Sequence, residues 1–349
     1  MVDIKAHRRI IKRKKYQPTC KCPHNPRIIT VPPSPKLIQK GKYAVSFWAK
    51  ILWDQFSSQR PLNRTLQEFQ QMGLFVSAGT VTSGLKKITP LFHPLFTAIW
   101  ERNKSEHHWH ADETRWMIFE DVEGKKSHRW LLWVFRSETT VVFRVMPTRG
   151  SIVPKKHFED QAWGMIRFDR FSSYKTLMDR GLFLVAFCWA HVRRDFLALA
   201  CDQDFATWSS EWMERIGAIY HLNSERLSHA MDSELFLEAD QKLRIAIDQL
   251  KSYLDAESIL FKDEKRKERL KVLRSLKNHW SGLILFVDYS WIPMDNNTAE
   301  RQLRNCVVGR KTYYGSRSIW SAQLFSEMST IFQTLEMWGL NQKKYLDAY

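Results

Sequence analysis

Hydrophobic and polar positions follow two different periods along the chain, and the first change comes near residue 105. Within 42–102, the segment YAVSFWAKILWDQF carries apolar residues at helical spacing, and PLNRTLQEFQQMG begins with Pro61 and ends at Gly73, as helices do. The next segment, VSAGTVTSGLKKITPLFHPLF, predicts a Ser/Thr-rich helix with Lys86 and Lys87. This order is typical of a helix-turn-helix, although any small helical hairpin shows the same pattern.

From Trp109 onward the apolar residues follow the two-residue period of β-strands. Three runs, WHADETRWMIFEDV, SHRWLLWVFRSE and TTVVFRVMPT, predict an antiparallel meander. GMIRFD predicts a fourth strand, SSYKTLMDRG predicts a helix closed by Gly181, and LFLVAFCWA is apolar on both faces, as a buried parallel strand requires. The predicted fold class is therefore α/β with a mixed sheet. Residues 192–285 and 297–340 return to helical spacing, the latter with a Gly/Arg-rich turn at 309–317.

The charge balance narrows the class of partner. The chain has 54 Lys and Arg against 37 Asp and Glu, a net charge of +17, which predicts a polyanionic partner, with nucleic acid first and a membrane surface second. The longest apolar run, 182–190, is too short to span a bilayer, and the N-terminus lacks the apolar region of a secretory signal. Five scattered cysteines fit reduced thiols in cytosol.

The first 41 residues predict a basic arm followed by a Pro-rich linker. The arm, rich in Lys and Arg, is either a solvated tail or a contact to phosphates. Cys20, Cys22 and the nearby His24 resemble half of a zinc knuckle. A structural zinc site needs four ligands, so zinc is not expected in this chain.

Three carboxylates are candidates for catalysis. Asp112 lies inside the first strand of the sheet, where burial costs several kcal/mol unless the carboxylate is paired or metal-bound. Asp169 closes the fourth strand, and strand ends are where sites form in α/β sheets. Glu300, on a later helix, is the third acid. If the two strands are neighbours, the three carboxylates can hold two Mg²⁺ ions for an in-line phosphoryl displacement.

Each acid also has a purely structural interpretation. Asp112 could pair with a nearby arginine, and Asp169 could cap the helix that follows it. Glu300 lies three residues after Asn297, the spacing of a capping box, and four residues before Arg304, the spacing of an intrahelical salt bridge.

Five motifs occur in the order HADET, DRFSSY, CWAHVRRDF, DNNTAERQLRNCVVGRK and YYGS. With the upstream segment SFWAKILWDQFSSQRPLNRTLQEFQQMGLFVSAGTV, they make the chain resemble the insertion-sequence 66 family of bacterial DDE transposases over about 16–349. The resemblance implies a ribonuclease H-like core with strand order 3-2-1-4-5, broken by a helical insertion. It maps the catalytic, metal-binding acids onto Asp112, Asp169 and Glu300, with two Mg²⁺ ions that Mn²⁺ could replace.

The resemblance divides the chain into five parts. They are the arm and linker with a partial zinc-knuckle remnant (1–41), a helix-turn-helix-like DNA-binding region (42–105), the first part of the catalytic core (106–200), the helical insertion (201–290) and C-terminal core helices with the third acid (291–349). Two departures stand out. Relatives begin with a leucine-rich segment and an earlier cysteine pair that this chain lacks, and DRFSSY lacks the usual glycine after the acid.

Basic residues surround the candidate acids. Contacts to DNA phosphates are expected from Arg301, Arg304, Arg310, Lys311, Arg193 and Arg194, with Arg317 nearby. His191 ends the C-x-x-H signature CWAH, in which Cys188 is expected to be a packed thiol. His191 is either a DNA-contacting or site-supporting residue or a satisfied histidine at a strand end.

Two further histidines and the nucleotide motifs complete the sequence survey. His108 and His110 share a strand face with Asp112, so a His-rich zinc or iron site is a competing interpretation, and His110 could also touch DNA. The chain has no phosphate-binding glycine motif, and no ATP dependence is implied.

The function expected from the resemblance is a transposase. It would bind the terminal inverted repeats of a transposon, cleave a phosphodiester bond and use the freed 3′-hydroxyl to attack target DNA. A homo-oligomer on DNA, a cytoplasmic, nucleoid-associated location and no membrane contact are expected with it. Two alternatives stay open: a truncated remnant that binds DNA without cutting it, and an unrelated ribonuclease H-like nuclease, against which the helical insertion argues.

Overall fold

The computed structural model describes residues 6–19, 28–125, 127–170, 183–261 and 267–348. A short exposed pair, β1 (Lys15–Tyr16) and β2 (Ile29–Thr30), precedes the main sheet. The predicted zinc-knuckle remnant and the helix predicted at 172–181 lie outside the described residues.

The main sheet has five strands in the order β5-β4-β3-β6-β7. They are β3 (His108–Met117), β4 (Arg129–Arg136), β5 (Val141–Met146), β6 (Gly164–Phe168) and β7 (Phe183–Phe187). The first three form the predicted antiparallel meander, and β3–β6 and β6–β7 pair in parallel. The mixed α/β sheet is therefore confirmed, and its order is the 3-2-1-4-5 order that the resemblance implies.

Helices cover both faces of the sheet. They are α1 (Val45–Leu52), α2 (Leu62–Gln71), α3 (Ala78–Ile88), α4 (His93–Lys104), α5 (Ile152–His157), α6 (Trp189–Ala200), α7 (Ala206–Ser228), α8 (Glu234–Leu260), α9 (Glu268–Asn278), α10 (Trp280–Leu283), α11 (Leu285–Asp288), α12 (Asn297–Tyr313), α13 (Ile319–Met337) and α14 (Gln342–Ala348). In the described part of the chain, no helix combines the length and the apolar character needed to cross a bilayer.

Strand alternation sends β3 side chains into two separate cores. Trp109 and Ala111 join the core that includes α5 through α8, whereas Trp116 faces the core formed by α1 through α4, α12 and α13. The N-terminal helical region thus shares its core with the sheet. Gly84 of α3 shows how closely these helices pack, because a Cβ atom there would lie 1.9 Å from the Trp48 ring of α1.

Strand β5 is the last strand on one side of the sheet, and its outer edge is covered by α13. The N–H groups of Val141, Phe143 and Val145 donate to the hydroxyls of Thr334, Thr330 and Ser326, at 3.2, 2.9 and 3.2 Å. These hydroxyls recur every four residues, so they line one face of α13 and satisfy alternate donors of the edge strand. The edge is therefore closed to pairing with another strand.

The Gly/Arg-rich turn predicted at 309–317 is shorter than expected. Helix α12 continues through Gly309 to Tyr313, and the chain turns only at Tyr314, which adopts a left-handed backbone conformation with φ of 66°. Ser316 then fixes the turn to β3, since its N–H donates to the Met117 carbonyl at 2.8 Å. Gly309 does not end α12, because the low helix propensity of a single glycine is outweighed by the packing of the helix against the sheet.

Candidate active site

Two of the predicted acids lie at the same level of neighbouring parallel strands, Asp112 in the middle of β3 and Asp169 directly after β6. His110 of β3 is opposite Arg167 of β6, so Asp112 and Asp169, each two residues further on, reach the same level of the sheet. The pKa of Asp112 is raised well above its ordinary value, first by burial, then by Glu113, Asp169 and Glu300. Its Oδ1 accepts the Glu113 N–H at 2.8 Å, which partly opposes that shift.

Asp169 belongs to a chain of charges at this end of the sheet. Arg149 donates from Nε to Oε1 of Glu113 at 2.6 Å and places Nη2 3.9 Å from Oδ2 of Asp169. Neither Glu113 nor Arg149 was singled out from the sequence. The signal available in the sequence was a second acid beside Asp112 within the same predicted strand, because a carboxylate that such a strand buries needs a cationic partner.

Glu300 enters the site from the first turn of α12. Nη2 of Arg194 donates to both of its carboxylate oxygens, at 3.0 and 2.9 Å. His191 Nε2 lies 3.7 Å from Oε1 of Glu300 and accepts a hydrogen bond from Nη1 of Arg194 at 3.0 Å. The third predicted acid therefore meets α6 at the site.

The capping-box interpretation of Glu300 is wrong. Helix α12 begins at Asn297, its cap residue is Asn296, and no side chain caps the helix. The Glu300 carboxylate is turned toward Arg194, and the Asn296 side chain is turned toward β3. The salt bridge proposed to Arg304 is not formed, since Arg194 occupies both oxygens of Glu300.

His191 lies in the first turn of α6, because β7 ends at Phe187 and Cys188 precedes the helix. The C-x-x-H motif is thus a helix start, where the sequence suggested a strand end. The pKa of His191 is lowered, first by burial and then by Arg194, against the attraction of Asp169 and Glu300. This lowering favours the neutral imidazole, in which Nε2 can accept the hydrogen bond from Arg194.

Residues 40–324 match the family model described as Transposase IS66 family. The chain belongs to the IS66 family of transposases. Two curated relatives from Sinorhizobium fredii, both named as uncharacterized proteins, are y4hP, 23% identical over 332 residues, and y4jD, 22% identical over 342 residues. The alignments cover 88% and 91% of this chain but 59% and 64% of the relatives, so the chain spans about three fifths of their length.

The basic residues predicted to contact DNA have different positions in this IS66-family chain. Arg193 is exposed and stacks on the Tyr220 ring at 5.7 Å, and Arg301 donates to the Asn297 carbonyl at 3.3 Å. Arg304, Lys311 and Arg317 are exposed on or just after α12. These three side chains face solvent.

Arg310 differs from the other predicted DNA contacts. Its Nη1 donates to Thr114 Oγ1 at 2.8 Å and to the Arg115 carbonyl, so the side chain ties α12 to β3. The pKa of Arg310 is lowered by burial and by Arg115. In this structure its role is to hold the helix on the sheet.

The histidines of β3 do not assemble a ligand set around Asp112 among the described residues. His108 pairs with Glu138 at 2.7 Å and stacks on Trp291, while Nδ1 of His110 contacts Oδ1 of Asn296 at 3.0 Å. Burial, and secondarily Arg167, lowers the pKa of His110 to about 3. The potential ligand atoms that do gather belong to Cys188, His191 and Glu300, within 4.8 Å of one another.

Proposed function

We propose that this IS66-family protein is a DDE transposase that cleaves transposon-end DNA and joins it to target DNA. The observation that carries the proposal is the shared level of Asp112 on β3 and Asp169 after the neighbouring β6. Glu300 supports it from α12, since both Asp169 and Glu300 contribute to the raised pKa of Asp112. The five-stranded order supports a ribonuclease H-like core.

The residues present fit a site for divalent metal. Hard carboxylate oxygens are the ligands that Mg²⁺ and Mn²⁺ prefer, and mutual repulsion among the acids favours a cation between them. Asp112, Asp169 and Glu300 would hold two Mg²⁺ ions, which when bound activate the attacking oxygen and stabilise the leaving oxygen. The chain's own residues orient the acids: Glu113 N–H holds Asp112, Arg149 lies beside Asp169, and Arg194 holds Glu300.

DNA contact is proposed for the exposed cations around these acids. Arg193, Arg301, Arg304 and Lys311 lie on α6 and α12, the two helices that bring His191 and Glu300 to the site. A phosphate backbone passing the acids would meet this surface, with affinity falling as salt rises.

The helical region at 42–105 is proposed to bind DNA as well. Gly73 has a positive φ of 79° after α2, and α3 then exposes Thr80, Ser83, Lys86 and Lys87. A polar, basic helix that follows such a turn suits a DNA groove. Since two transposon ends must be handled together, a homo-oligomer on DNA is part of the proposal.

The test is a nicking assay on the DNA ends of the protein's own element with Mg²⁺ or Mn²⁺. Wild type should nick, whereas Asp112→Asn, Asp169→Asn and Glu300→Gln should lose about a thousandfold or more in rate. Asp248→Asn and Glu238→Gln change exposed acids of α8 and are the matched controls, expected to nick like wild type. Nicking that survives all three site substitutions would refute the proposal.

The second candidate function is DNA binding without cleavage. The observation that favours it is the hold of Arg194 on both oxygens of Glu300, which neutralises the third acid. Wild type that binds element ends in a salt-dependent manner but never nicks them would select this alternative.

A further inference from the structure

A fully buried amide, Asn296, bridges two elements of the candidate site. Its Nδ2 donates to the Ala111 carbonyl at 2.8 Å, and its Oδ1 lies 3.0 Å from Nδ1 of His110. Because Nδ2 is the donor side of this amide, Oδ1 can only accept, and His110 must carry its proton on Nδ1. The two partners, His110 and Ala111, are the two residues that come just before Asp112 on β3.

The backbone of the same residue reaches two other elements. The Asn296 N–H donates to Sγ of Cys188 at 3.1 Å, and the Asn296 carbonyl accepts the N–H of Glu300 at 3.3 Å. One residue thus contacts the strand that carries Asp112, the residue that precedes α6, and the turn that carries Glu300.

The neighbouring Asp295 strengthens this connection. Its Oδ1 accepts the Ala190 N–H at 3.1 Å and the hydroxyl of Tyr220 on α7. Asp295 therefore fixes the start of α6, from which His191 and Arg194 reach the site, and it links the site to the first helix after α6.

From this geometry we infer that Asn296 is a positioning residue that sets the separation between Asp112 and Glu300. The inference rests on the proposed function, because it takes these two acids as metal ligands. The position needs a short side chain with one donor and one acceptor. Alanine would leave the Ala111 carbonyl and the His110 N–H buried without this partner, and aspartate would face the carbonyl with a carboxylate.

The test compares Asn296→Ala with Asn103→Ala. Asn103 is equally buried and also bridges elements, since it donates to Ser137 Oγ at 2.8 Å and contacts His157 Nε2 at 2.9 Å, but it touches none of the three acids. Mn²⁺ affinity is measured by calorimetry on the whole protein without DNA, together with the Tm. Asn296→Ala should weaken Mn²⁺ binding about tenfold or more, as loss of a residue that orients a ligand does. Asn103→Ala should lower the Tm and keep wild-type Mn²⁺ affinity.

Hydrogen exchange gives a readout that needs no metal. Asn296→Ala should speed amide exchange in peptides covering 108–114 and 296–304, and Asn103→Ala should leave these peptides protected. If the alanine variant does not fold, Asn296→Ser replaces it, because the serine hydroxyl can still bond one of the two partners. Asn296→Ser should also speed exchange in these peptides and weaken Mn²⁺ binding, each by less than alanine would.

Wild-type Mn²⁺ affinity in a folded Asn296 variant would overturn the inference, as would unchanged exchange in both peptides. If wild type itself binds no Mn²⁺, the metal site of the proposed function fails. Exchange then decides separately whether Asn296 holds the two acids in place.

Discussion

Arg194 donates to both carboxylate oxygens of Glu300, so the third acid of the site is held by a cation from α6. The pair is partly solvated, with side-chain exposures of 54% and 28%, and such pairs contribute about 1 kcal/mol or less. A bound metal can therefore compete for Glu300 at modest cost.

Removing this competition should make metal binding easier. For Arg194→Gln, the Mg²⁺ concentration that gives half-maximal nicking should fall about two- to fivefold, while affinity for DNA also falls, because a cation is lost. Arg193→Gln is the matched control: it removes the neighbouring cation, which stacks on Tyr220, and should weaken DNA binding alone. An unchanged Mg²⁺ requirement in Arg194→Gln would show that the pair does not limit metal binding.

The hydroxyls of α13 that cover β5 should contribute measurably to stability. Thr330→Val keeps the shape of the side chain but leaves the Phe143 N–H without its acceptor, so the free energy of unfolding should fall by about 1–3 kcal/mol. Thr312→Val on α12 removes an exposed hydroxyl that donates to the Val308 carbonyl of its own helix, and should change stability by less than about 0.5 kcal/mol. Urea denaturation measures both; equal effects would mean that the edge contact is not specific.

His157 should make the fold sensitive to mild acid. It is fully buried against Phe135 and bonded to Asn103, and its pKa is lowered well below the ordinary value by burial, then by Arg144 and Lys104. The unfolded chain takes up this proton below about pH 6.5 and the folded chain does not. The contribution of the neutral, buried His157 to the free energy of unfolding is therefore fully present above that pH. Below it, this contribution falls by up to ~1.4 kcal/mol per pH unit.

The variant His157→Gln should make the slope of the unfolding free energy against pH shallower between about pH 6.5 and 5, by up to ~1.4 kcal/mol per pH unit. Part of the slope should persist, because the pKa of His110 is also lowered, to about 3. His221→Gln, at an exposed position of α7, should leave the slope of wild type in place. If wild type and His157→Gln lose stability with the same slope, His157 is not the group that responds.

The packing of α3 on α1 can be tested with two glycines of the same helix. Gly84→Ala should lower the free energy of unfolding by about 1–3 kcal/mol, since its Cβ would collide with the Trp48 ring. Gly79 has open space around it, so Gly79→Ala should raise the free energy of unfolding by up to about 1 kcal/mol. A single cooperative transition that shifts with Gly84→Ala would show that the N-terminal helices unfold together with the sheet. A separate early transition would show that they form an independent unit.

The family resemblance implied the neighbouring positions of β3 and β6, and the sequence predicted the strands themselves, because these depend on local hydrophobic period. It could not reach the bond between Arg194 and Glu300, whose positions are 106 apart and meet only through tertiary structure. Asn296 was missed because amides before a helix usually cap it, and the local pattern is the same when such a side chain turns to a strand. The bond between Arg310 and Thr114 could not be predicted either, since the charge of Arg310 is visible in the sequence and its hydrogen-bond partner is not.

The most direct test of the central claim is anomalous diffraction at the manganese edge from crystals of the protein with Mn²⁺ and element-end DNA. The account predicts Mn²⁺ bound by carboxylate oxygens of Asp112, Asp169 and Glu300, with Arg194 released from Glu300. Mn²⁺ held by Cys188 and His191 while Glu300 stays on Arg194, or no Mn²⁺ at the three acids, would contradict it.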